Sequence, residues 1–424
     1  MAELNLFQTD RTSRQKYCIK TWIKSKLHST IEAATGFGKT RVALMSIKLL
    51  KKHLPNIRCI IVVPTETLKE QWEQHLTEND LIFNCEVHII NSLIKNKWKC
   101  DLLVIDEIHR MAADTFSQIF KCVTYKYILG LTATLSRLDG KDAIVRKYCP
   151  VSDTVSIEEC LLNHWVSEYK EYLVLLDVDN IEEYKEYNKQ FTKAFEFFNY
   201  NFDLAMSCLG SDGFKKRIEL AKQLSSTDVE RKELLKVITL NAMQFIRSIQ
   251  KRKAFINNHP KKIQVAQKIL SCYKDRKVIT FSNNVKMAEA LENGKNVYTG
   301  KTSKKKSRVL IEDFNKLSTG TLNTCMKANE GLDVDGLSVA IILGLDSSPI
   351  KATQRRGRVI RWAPDKTAYI FNLVIKNTVE VEWFYKSHRD GNYTVIDERG
   401  LDKVLNGEKP EPYKGNINRF TFRF

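Results

Sequence analysis

The chain has 424 residues, of which 43% are hydrophobic, and its 68 Lys or Arg residues against 50 Asp or Glu residues give a formal net charge of +18. This length is too great for one ordinary core and predicts two main domains, while the apolar fraction excludes a largely disordered chain. The charge predicts a polyanionic partner, with a plain solvated basic surface as the alternative. Nucleic acid is favoured over a membrane, because no apolar run approaches the roughly 20 residues that span a bilayer and residues 1–9 lack a signal-peptide stretch.

The ten cysteines are scattered along the chain, and no two have the Cys-x-x-Cys spacing of a zinc or redox site. The eight histidines form no metal-ligand cluster in the sequence either. We therefore predict reduced thiols in an intracellular protein, and no metal site built by the protein alone. A metal ion that arrives with a bound nucleotide stays open.

The first third of the chain alternates between short apolar strands and amphipathic helices. The predicted strands are residues 29–33, 59–63, 87–90, 102–105 and 127–131, and the predicted helices are residues 41–51 and 66–76. Continuous apolar strands that alternate with helices are typical of a parallel sheet covered on both faces. The first domain is predicted to span residues 1–165.

The same alternation returns late in the chain, with predicted strands at residues 277–281, 321–325, 339–343 and 367–372. Residues 181–258 have helical periodicity and almost no strand signal, after one predicted strand at 172–178. The predicted fold class is therefore α/β, with two parallel-sheet domains in tandem and a helical insertion near the start of the second. We place the second domain at residues 166–385, the insertion at about 180–260 and a tail at 386–424. The tail is expected to pack on a domain, because residues 420–424 alternate like a half-buried strand.

The insertion has a one-signed charge bias. Residues 215–262 contain 13 Lys or Arg and 4 Asp or Glu, an excess of nine that is half of the net charge. A solvated helical face is the usual explanation for a charge run, but an excess of one sign favours a nucleic-acid surface. Lys251, Arg252 and Lys253 are the candidate phosphate contacts, and residues 301–308 form a second basic patch.

Residues 33–40 read Ala-Ala-Thr-Gly-Phe-Gly-Lys-Thr and lie between a predicted strand and a predicted helix. In that context glycines let backbone N–H groups close around phosphate oxygens, and the helix N-terminus adds positive potential. Lys39 is predicted to reach the β- and γ-phosphates of ATP, and Thr40 to offer its hydroxyl to Mg²⁺. Ala33 replaces the first glycine of the general pattern, and a plain glycine-rich turn is the alternative.

Two adjacent carboxylates, Asp106 and Glu107, follow the predicted strand 102–105. Ligands of parallel sheets bind at the carboxyl ends of the strands. Asp106 is predicted to hold Mg²⁺, directly or through water, and Glu107 to act as the general base on the attacking water. An acidic turn is the common alternative, but the phosphate loop upstream makes the pair specific.

Seven motifs in order make the chain resemble the superfamily 2 helicases over nearly its whole length. They are motif I at 35–40, Ia at 63–72, II at 106–109, III at 132–134, IV at 277–283, V at 329–334 and VI at 354–361. Within that superfamily the chain looks most similar to the small phage and viral branch typified by the UvsW helicase, which is related to XPB and RecG. The resemblance implies two RecA-like domains with ATP and Mg²⁺ between them.

The resemblance also implies roles for individual residues. The nucleotide would contact Gln15, Thr35, Gly36, Phe37, Gly38, Lys39, Thr40, Gly331 and Asp333. Catalysis would use Lys39, Asp106, Glu107, Gln354, Arg358 and Arg361, with the two arginines stabilising charge on the γ-phosphate. His109, Thr132 and Thr134 would couple domain closure to the carboxylates. The pattern Thr12-Ser13-Arg14-Gln15 departs from the usual Arg-Pro-Tyr-Gln, which weakens the assignment of adenine recognition to Gln15.

Nucleic-acid contacts are implied by family position at Thr65, Arg110, Ser282, Asn283 and Thr324. The predicted enzyme hydrolyses ATP to unwind or branch-migrate branched DNA, and it is expected to act as a monomer. If it is viral or phage-encoded, we expect it in the host cytoplasm. Three alternatives stay open: a duplex translocase that does not separate strands, an RNA helicase, and an ATP-regulated binding protein that does not move.

Overall fold

The structure is a computed structural model that describes residues 10–137, 139–210, 212–291, 296–300, 302–325, 334–389 and 391–417. The first domain alternates strands with helices, as predicted. Its strands are β1 (His28–Ala33), β2 (Cys59–Val63), β3 (Cys85–Ile89), β4 (Trp98–Lys99), β5 (Leu102–Asp106), β6 (Val123–Thr124), β7 (Tyr127–Thr132) and β8 (Val151–Val155). Its helices are α1 (Arg11–Lys24), α2 (Lys39–His53), α3 (Glu66–Glu78), α4 (Ile90–Leu93), α5 (Ile119–Cys122), α6 (Asp142–Tyr148) and α7 (Ile157–Leu162). Short 3-10 turns lie at Ile82–Asn84, Ile108–Ala112 and Phe116–Gln118.

The first sheet has six strands in the order β3-β2-β5-β7-β1-β8, and every pairing is parallel. Every residue of β2 and of β5 is buried, because helices cover both faces of the sheet. The strands β5, β7 and β1 are neighbours, so their carboxyl ends meet at one edge. This topology brings the phosphate loop, the carboxylate pair and the threonines after β7 together.

The second domain begins with β9 (Glu168–Leu176) and resumes after the insertion. Its later strands are β10 (Lys277–Ser282), β11 (Val297–Tyr298), β12 (Gly320–Cys325), β13 (Leu337–Ile342), β14 (Thr367–Ile375) and β15 (Thr394–Asp397). Its helices are α12 (Pro260–Cys272), α13 (Val285–Ala290), α14 (Lys304–Lys316), α15 (Pro349–Val359), α16 (Val379–Ser387) and α17 (Glu398–Leu405). The sheet order is β11-β12-β10-β13-β14-β9-β15, again with every pairing parallel. Two parallel-sheet domains confirm the predicted fold class.

The insertion between β9 and β10 is helical. Its helices are α8 (Ile181–Phe197), α9 (Phe202–Ser207), α10 (Gly213–Leu224) and α11 (Asp228–Asn258), and the numbering of α12 to α17 follows from them. Two of these helices begin at a capping side chain. Asn201 accepts a hydrogen bond from Leu204 N at the start of α9, and Thr227 accepts one from Glu230 N at the start of α11. A separate core that includes Phe191, Phe195 and Phe245 holds the insertion together.

Part of the predicted tail belongs to the second sheet. Strand β15 pairs with β9, and Tyr413 N donates to Val395 O at 2.8 Å. The strand predicted at residues 420–424 lies outside the described residues. All ten cysteines are free thiols. In the part of the chain that the structure describes, no helix is long and apolar enough to cross a membrane.

Candidate active site

The phosphate loop connects β1 to α2, and its turn depends on two glycines with positive φ angles. Gly36 and Gly38 have φ values of +93° and +95°, in the region that glycine enters most readily. A Cβ at Gly38 would also lie 2.7 Å from Gln15 Nε2. Lys39 Nζ donates to Ala33 O at 3.0 Å, so the ammonium group lies back over the loop that it is predicted to serve.

Helix α1 supports this loop from outside. Gln15 Nε2 and Arg11 Nε each donate to Phe37 O at 2.9 Å, and Arg11 also bonds Gly36 O. Gln15 Oε1 and Thr35 Oγ1 are buried and have no hydrogen-bond partner among the described residues. Buried polar atoms are normally satisfied, so these two oxygens fit a ligand that brings donors to the loop. Arg11 was not predicted; its only signal in the sequence is its place one helical turn before Gln15.

The carboxylate pair ends β5 and is held by hydrogen bonds. Trp72 Nε1 donates to Asp106 Oδ2 at 3.0 Å, and the backbone N–H of Glu107 donates to Asp106 Oδ1 at 3.0 Å. Burial, together with the charge of Glu107, raises the pKa of Asp106 to about 6. Burial alone would raise the pKa of Glu107 too, but the hydrogen bond and charge of His109 and the charge of Lys39 hold it below its usual value. At neutral pH Glu107 is therefore ionised, as a general base must be.

His109 joins the carboxylate pair to the end of β7. Its Nδ1 lies 3.0 Å from Thr132 Oγ1 and 3.3 Å from Glu107 Oε2. The Thr132 hydroxyl donates in turn to Thr134 O at 3.0 Å, so its oxygen can accept a hydrogen bond from an N–H at His109 Nδ1. The three residues predicted to couple domain closure thus form one chain of contacts that begins at the general base.

Helix α15 of the second domain reaches the phosphate loop across the interdomain seam, the surface where the two sheet domains meet. A Cβ at Gly357 would fall 2.2 Å from Thr35 Cβ. A cavity of about 230 Å³ lies at this seam, with Glu32 and Thr134 on one wall and Thr353 and Arg356 on the other. Gln354 is buried in α15, and its Oε1 has no hydrogen-bond partner within the described part of the chain.

The linker between the domains touches both sides of the seam. The Trp165 ring lies 5.5 Å from the Phe37 ring between centroids, and a Cβ at Gly36 would meet Val166 Cγ1 at 3.0 Å. Further along, Ser167 N donates to Ile360 O at 2.9 Å just beyond α15. The linker therefore ties the phosphate loop to the end of motif VI.

The described residues offer few protein ligands for a metal ion. Among residues that the structure describes, no group of three or more His, Cys, Asp or Glu side chains is arranged to hold a metal ion. Mg²⁺ in nucleotide sites is usually held by one or two protein oxygens together with substrate phosphates. Thr40, in the first turn of α2, and Asp106, at the end of β5, are the predicted pair for that role.

Two family models match the chain in sequence order. The type III restriction enzyme res subunit matches residues 8–97 and 87–137, and the helicase conserved C-terminal domain matches residues 261–363. The DNA 3'-5' translocase XPB2 of Sulfurisphaera tokodaii is 27% identical over 387 residues, which cover 86% of this chain and 82% of that protein. Putative helicase 22 of a Sulfolobus islandicus filamentous virus is 23% identical over 439 residues. That alignment covers 93% of this chain and 70% of the viral protein. This chain is an ATP-hydrolysing nucleic-acid helicase, and the matches support its similarity to superfamily 2.

Solved structures share the helicase's fold. Dbp5 of S. cerevisiae, bound to RNA and ADP BeF3, has a TM-score of 0.58 at 13% identity. The superposition covers 92% of this chain and 91% of the Dbp5 chain. The Hef helicase domain of Pyrococcus furiosus has a TM-score of 0.50 at 15% identity and covers 90% of this chain and 100% of its own. These likenesses support a fold of two parallel-sheet domains.

The two arginines predicted as fingers in the helicase lie near the end of α15. Arg361 Nη1 is 3.5 Å from Asp335 Oδ1, and the charge of Arg358 acts on Tyr298, whose pKa is nevertheless raised by burial. The side chains thus interact with residues of their own domain, although α15 itself contacts the phosphate loop. Their roles on the γ-phosphate stay predictions.

Several predicted nucleic-acid contacts need correction. Arg252 is only 7% exposed, and its guanidinium lies 4.3 Å from the Phe191 ring centroid, so it packs in the insertion and does not face solvent. Ser282 and Thr324 are buried, and their hydroxyls donate to Thr324 O and Thr280 O. The prediction that these three side chains contact a phosphate is therefore wrong, because each is buried and packs or hydrogen-bonds inside the protein.

The remaining predicted nucleic-acid contacts stay predictions, and their surroundings are compatible with that role. Thr65 accepts from Leu68 N as the cap of α3, and the charge of Arg110 reaches Glu107. Asn283 Nδ2 donates to Asn257 Oδ1 at 3.1 Å and to Leu345 O at 3.3 Å. Lys251 and Lys253 are exposed. Gly331 and Asp333 lie outside the described residues.

Proposed function

We propose that this helicase uses ATP hydrolysis to move along DNA and to unwind or branch-migrate branched structures. The observation that carries the proposal is the close approach of Gly357 to Thr35, which apposes motif VI and the phosphate loop across the seam. A nucleotide at that loop would contact both domains. Its presence or hydrolysis would therefore change how strongly the domains hold each other.

The residues at the seam have complementary tasks. ATP would supply the phosphoanhydride bond, and Mg²⁺ held by Thr40 and Asp106 would neutralise phosphate charge. Lys39 places a positive charge at the loop, at the N-terminus of α2, where the helix dipole favours an anion. Glu107 orients a water molecule and accepts its proton, while His109 fixes the position of the carboxylate. Gln354, which follows Thr353 in α15, has a buried amide oxygen without a hydrogen-bond partner among the described residues.

Movement requires each domain to grip the strand with an affinity that changes on closure. A series of hydrogen bonds from His109 through Thr132 to Thr134 links Glu107 to the segment that follows β7. Thr134, in that segment, lines the seam cavity. A change in separation between the domains would therefore reach the general base through two hydrogen bonds and the contact of His109 with Glu107. This supports coupling between domain closure and hydrolysis.

DNA as the track is supported by the relative whose printed name is DNA 3'-5' translocase, and we propose the same polarity for this chain. A branched substrate is supported by the basic excess of the insertion, which is tied to the second sheet by the contacts of Asn257 with Asn283. We also propose kinship with the UvsW-like branch on the motif resemblance described above. The protein is proposed to act as a monomer inside the cell.

A second candidate function is translocation along duplex DNA without strand separation, which the name of that same relative favours. RNA is a further track to test, because motif contacts of this kind go mainly to phosphates and some weaker relatives are named as putative RNA helicases.

The decisive experiment measures ATP turnover against single-stranded, duplex and forked DNA and against the matching RNAs. Strand displacement and triplex displacement are followed on the same substrates. Fork DNA is expected to stimulate turnover most and to be unwound. Triplex displacement without unwinding would favour the duplex translocase, and stimulation by RNA alone would reject DNA as the track. Turnover that no nucleic acid stimulates would contradict the proposed function.

A further inference from the structure

An aromatic cavity of about 310 Å³ lies between the helical insertion and the second sheet domain. We call it the insertion pocket. Phe191 and Phe195 of α8, Phe202 of α9 and Trp383 of α16 contribute its aromatic surface. The volume is at the lower end of the range of about 300–1,000 Å³ that is typical of ligand sites. None of these residues belongs to the ATP site.

Packing holds the walls of the insertion pocket in place. Phe191 stacks on Phe245 of α11 with ring centroids 5.4 Å apart, and Phe195 lies 5.4 Å from the same ring. Arg252 Nε lies 3.4 Å from Tyr184 Oη, and that oxygen accepts from Val379 N at 2.9 Å. The insertion is thus fastened to the first residue of α16, which carries Trp383. A fixed aromatic surface loses little freedom when it binds a flat ring.

The lining of the insertion pocket is basic. Lys253 and Lys386 contribute to it together with the buried Arg252, whose guanidinium lies on the Phe191 ring, against a single carboxylate from Glu382 that lies 3.3 Å from Lys386. The lining therefore has an excess of two positive charges. Phe202 is 49% exposed, so an aromatic face is open to an incoming group. Aromatic faces beside cations match a nucleotide, in which a flat base adjoins an anionic phosphate.

The insertion pocket also opens in a suitable place. Ser347, one of its lining residues, lies in the loop that follows β13. The same loop accepts a hydrogen bond from Asn283 at Leu345 O, directly beyond the end of β10. Carboxyl ends of parallel strands are where ligands of such sheets bind. A strand that crosses this edge would pass the mouth of the pocket.

We propose that the insertion pocket receives one unpaired base of a branched nucleic acid, stacks it against Phe202 and Trp383, and contacts the adjoining phosphates with Lys253 and Lys386. This inference rests on the proposed function, because it names the group by which the insertion recognises a branch. A base is available to the pocket only where the strands are separated. The pocket would therefore distinguish a fork from a continuous duplex without reading its sequence.

The test uses the full-length protein and forked DNA in which one unpaired base at a time is replaced by an abasic residue. Affinity is measured by fluorescence anisotropy for the wild type and for Phe202→Ala, Trp383→Ala and Trp383→Phe. Phe214→Ala is the matched control, since Phe214 is 52% exposed on the same insertion but does not line the pocket. Thermal melts check that each variant is folded.

At one or two neighbouring positions the abasic residue is expected to weaken wild-type binding about 5- to 100-fold. Phe202→Ala and Trp383→Ala should weaken binding to the intact fork by a similar factor and lose the sensitivity to the abasic position. Trp383→Phe should keep most of the wild-type affinity, and Phe214→Ala all of it. Equal affinities of both alanine variants and the wild type, or abasic sensitivity that persists in both, would overturn the proposal.

Fork-stimulated ATP turnover of the wild type, measured in the same preparation, separates the two levels of inference. If turnover is stimulated but the pocket variants bind normally, only the insertion pocket is rejected. If DNA stimulates no turnover, the proposed function itself fails.

Discussion

Gly357 in α15 and Thr35 in the phosphate loop approach so closely that a Cβ on the glycine would lie 2.2 Å from the Cβ of the threonine. Any side chain at position 357 therefore has to displace the loop or the helix. The contact crosses from one sheet domain to the other, and among the described residues neither Thr35 Oγ1 nor Gln354 Oε1, one turn earlier in α15, has a hydrogen-bond partner. The fit of the two domains around a nucleotide thus depends on the absence of a single methyl group.

Gly357→Ala is accordingly expected to hold the domains apart and to reduce ATP turnover roughly 10- to 100-fold, as overpacking costs about 1–3 kcal/mol. Binding of a fluorescent ATP analogue to the loop of the first domain should change less than turnover does. Gly300→Ala is the matched control, because a Cβ there meets no atom within 4 Å. Wild-type turnover in a folded Gly357→Ala variant would show that the seam does not close as the structure has it.

Lys39→Ala and Glu107→Gln are expected to lower ATP turnover at least about 100-fold without unfolding the protein. Lys39→Ala removes the charge at the phosphate loop and should weaken nucleotide binding as well. Glu107→Gln removes only the general base and should leave binding intact. Steady-state ATPase assays and equilibrium nucleotide binding distinguish the two. Glu70→Gln, on the exposed face of α3, serves as control, and full activity of Glu107→Gln would refute the base assignment.

Glu171→Gln is expected to destabilise the protein by about 3 kcal/mol at pH 7. Burial would raise the pKa of Glu171, but the charges of Arg356 and His388 lower it to about 2. Since the folded pKa lies below the unfolded one, this stabilisation is present above about pH 4.5 and is lost as the pH falls toward 2.

Urea unfolding at a series of pH values measures this effect. The wild type should lose stability more steeply than Glu171→Gln between pH 5 and pH 3. Glu168→Gln, at the exposed start of the same strand, should follow the wild type. Parallel pH curves for Glu171→Gln and the wild type would contradict stabilisation of the Glu171 carboxylate by Arg356 and His388.

The double variant Lys251→Ala/Lys253→Ala is expected to weaken DNA binding and to lower the slope of log affinity against log salt by about two, since each lost phosphate contact removes roughly 0.9. Basal ATP turnover should not change. Lys20→Ala/Lys52→Ala, on exposed positions of the first domain, has the same change in charge and controls for net charge alone. An unchanged salt slope would exclude these lysines as phosphate contacts.

The positions of most strands along the chain and of the loops at their ends were accessible from the sequence because they depend on local patterns. Apolar runs of four to six residues predicted β2, β5 and β7, and the glycines before Lys39 predicted the turn into α2. Asp106 followed from its position at the end of a buried strand. The short β15 was not predicted, because its four residues are too few to show an alternation of apolar and polar side chains. They form a strand by pairing with β9.

Burial of individual polar residues was not accessible in the same way. Arg252 stands between two exposed lysines in the sequence, and only the packing of α11 on α8 decides that it lies on Phe191. The hydroxyl of Thr324 likewise turns inward, to Thr280 O, because of the strand register. Charge counts give the sign of a surface but not the direction of each side chain.

Strand β9 comes directly after the linker, yet it lies between β14 and β15 and bonds to β14 along its full nine residues. A fragment that started after the insertion would lack this strand and would expose two unpaired edges in the interior of the sheet. Such edges invite aggregation. The C-terminal half can therefore be produced alone only if it begins before Glu168, and proteolytic cutting inside the insertion should leave both pieces associated.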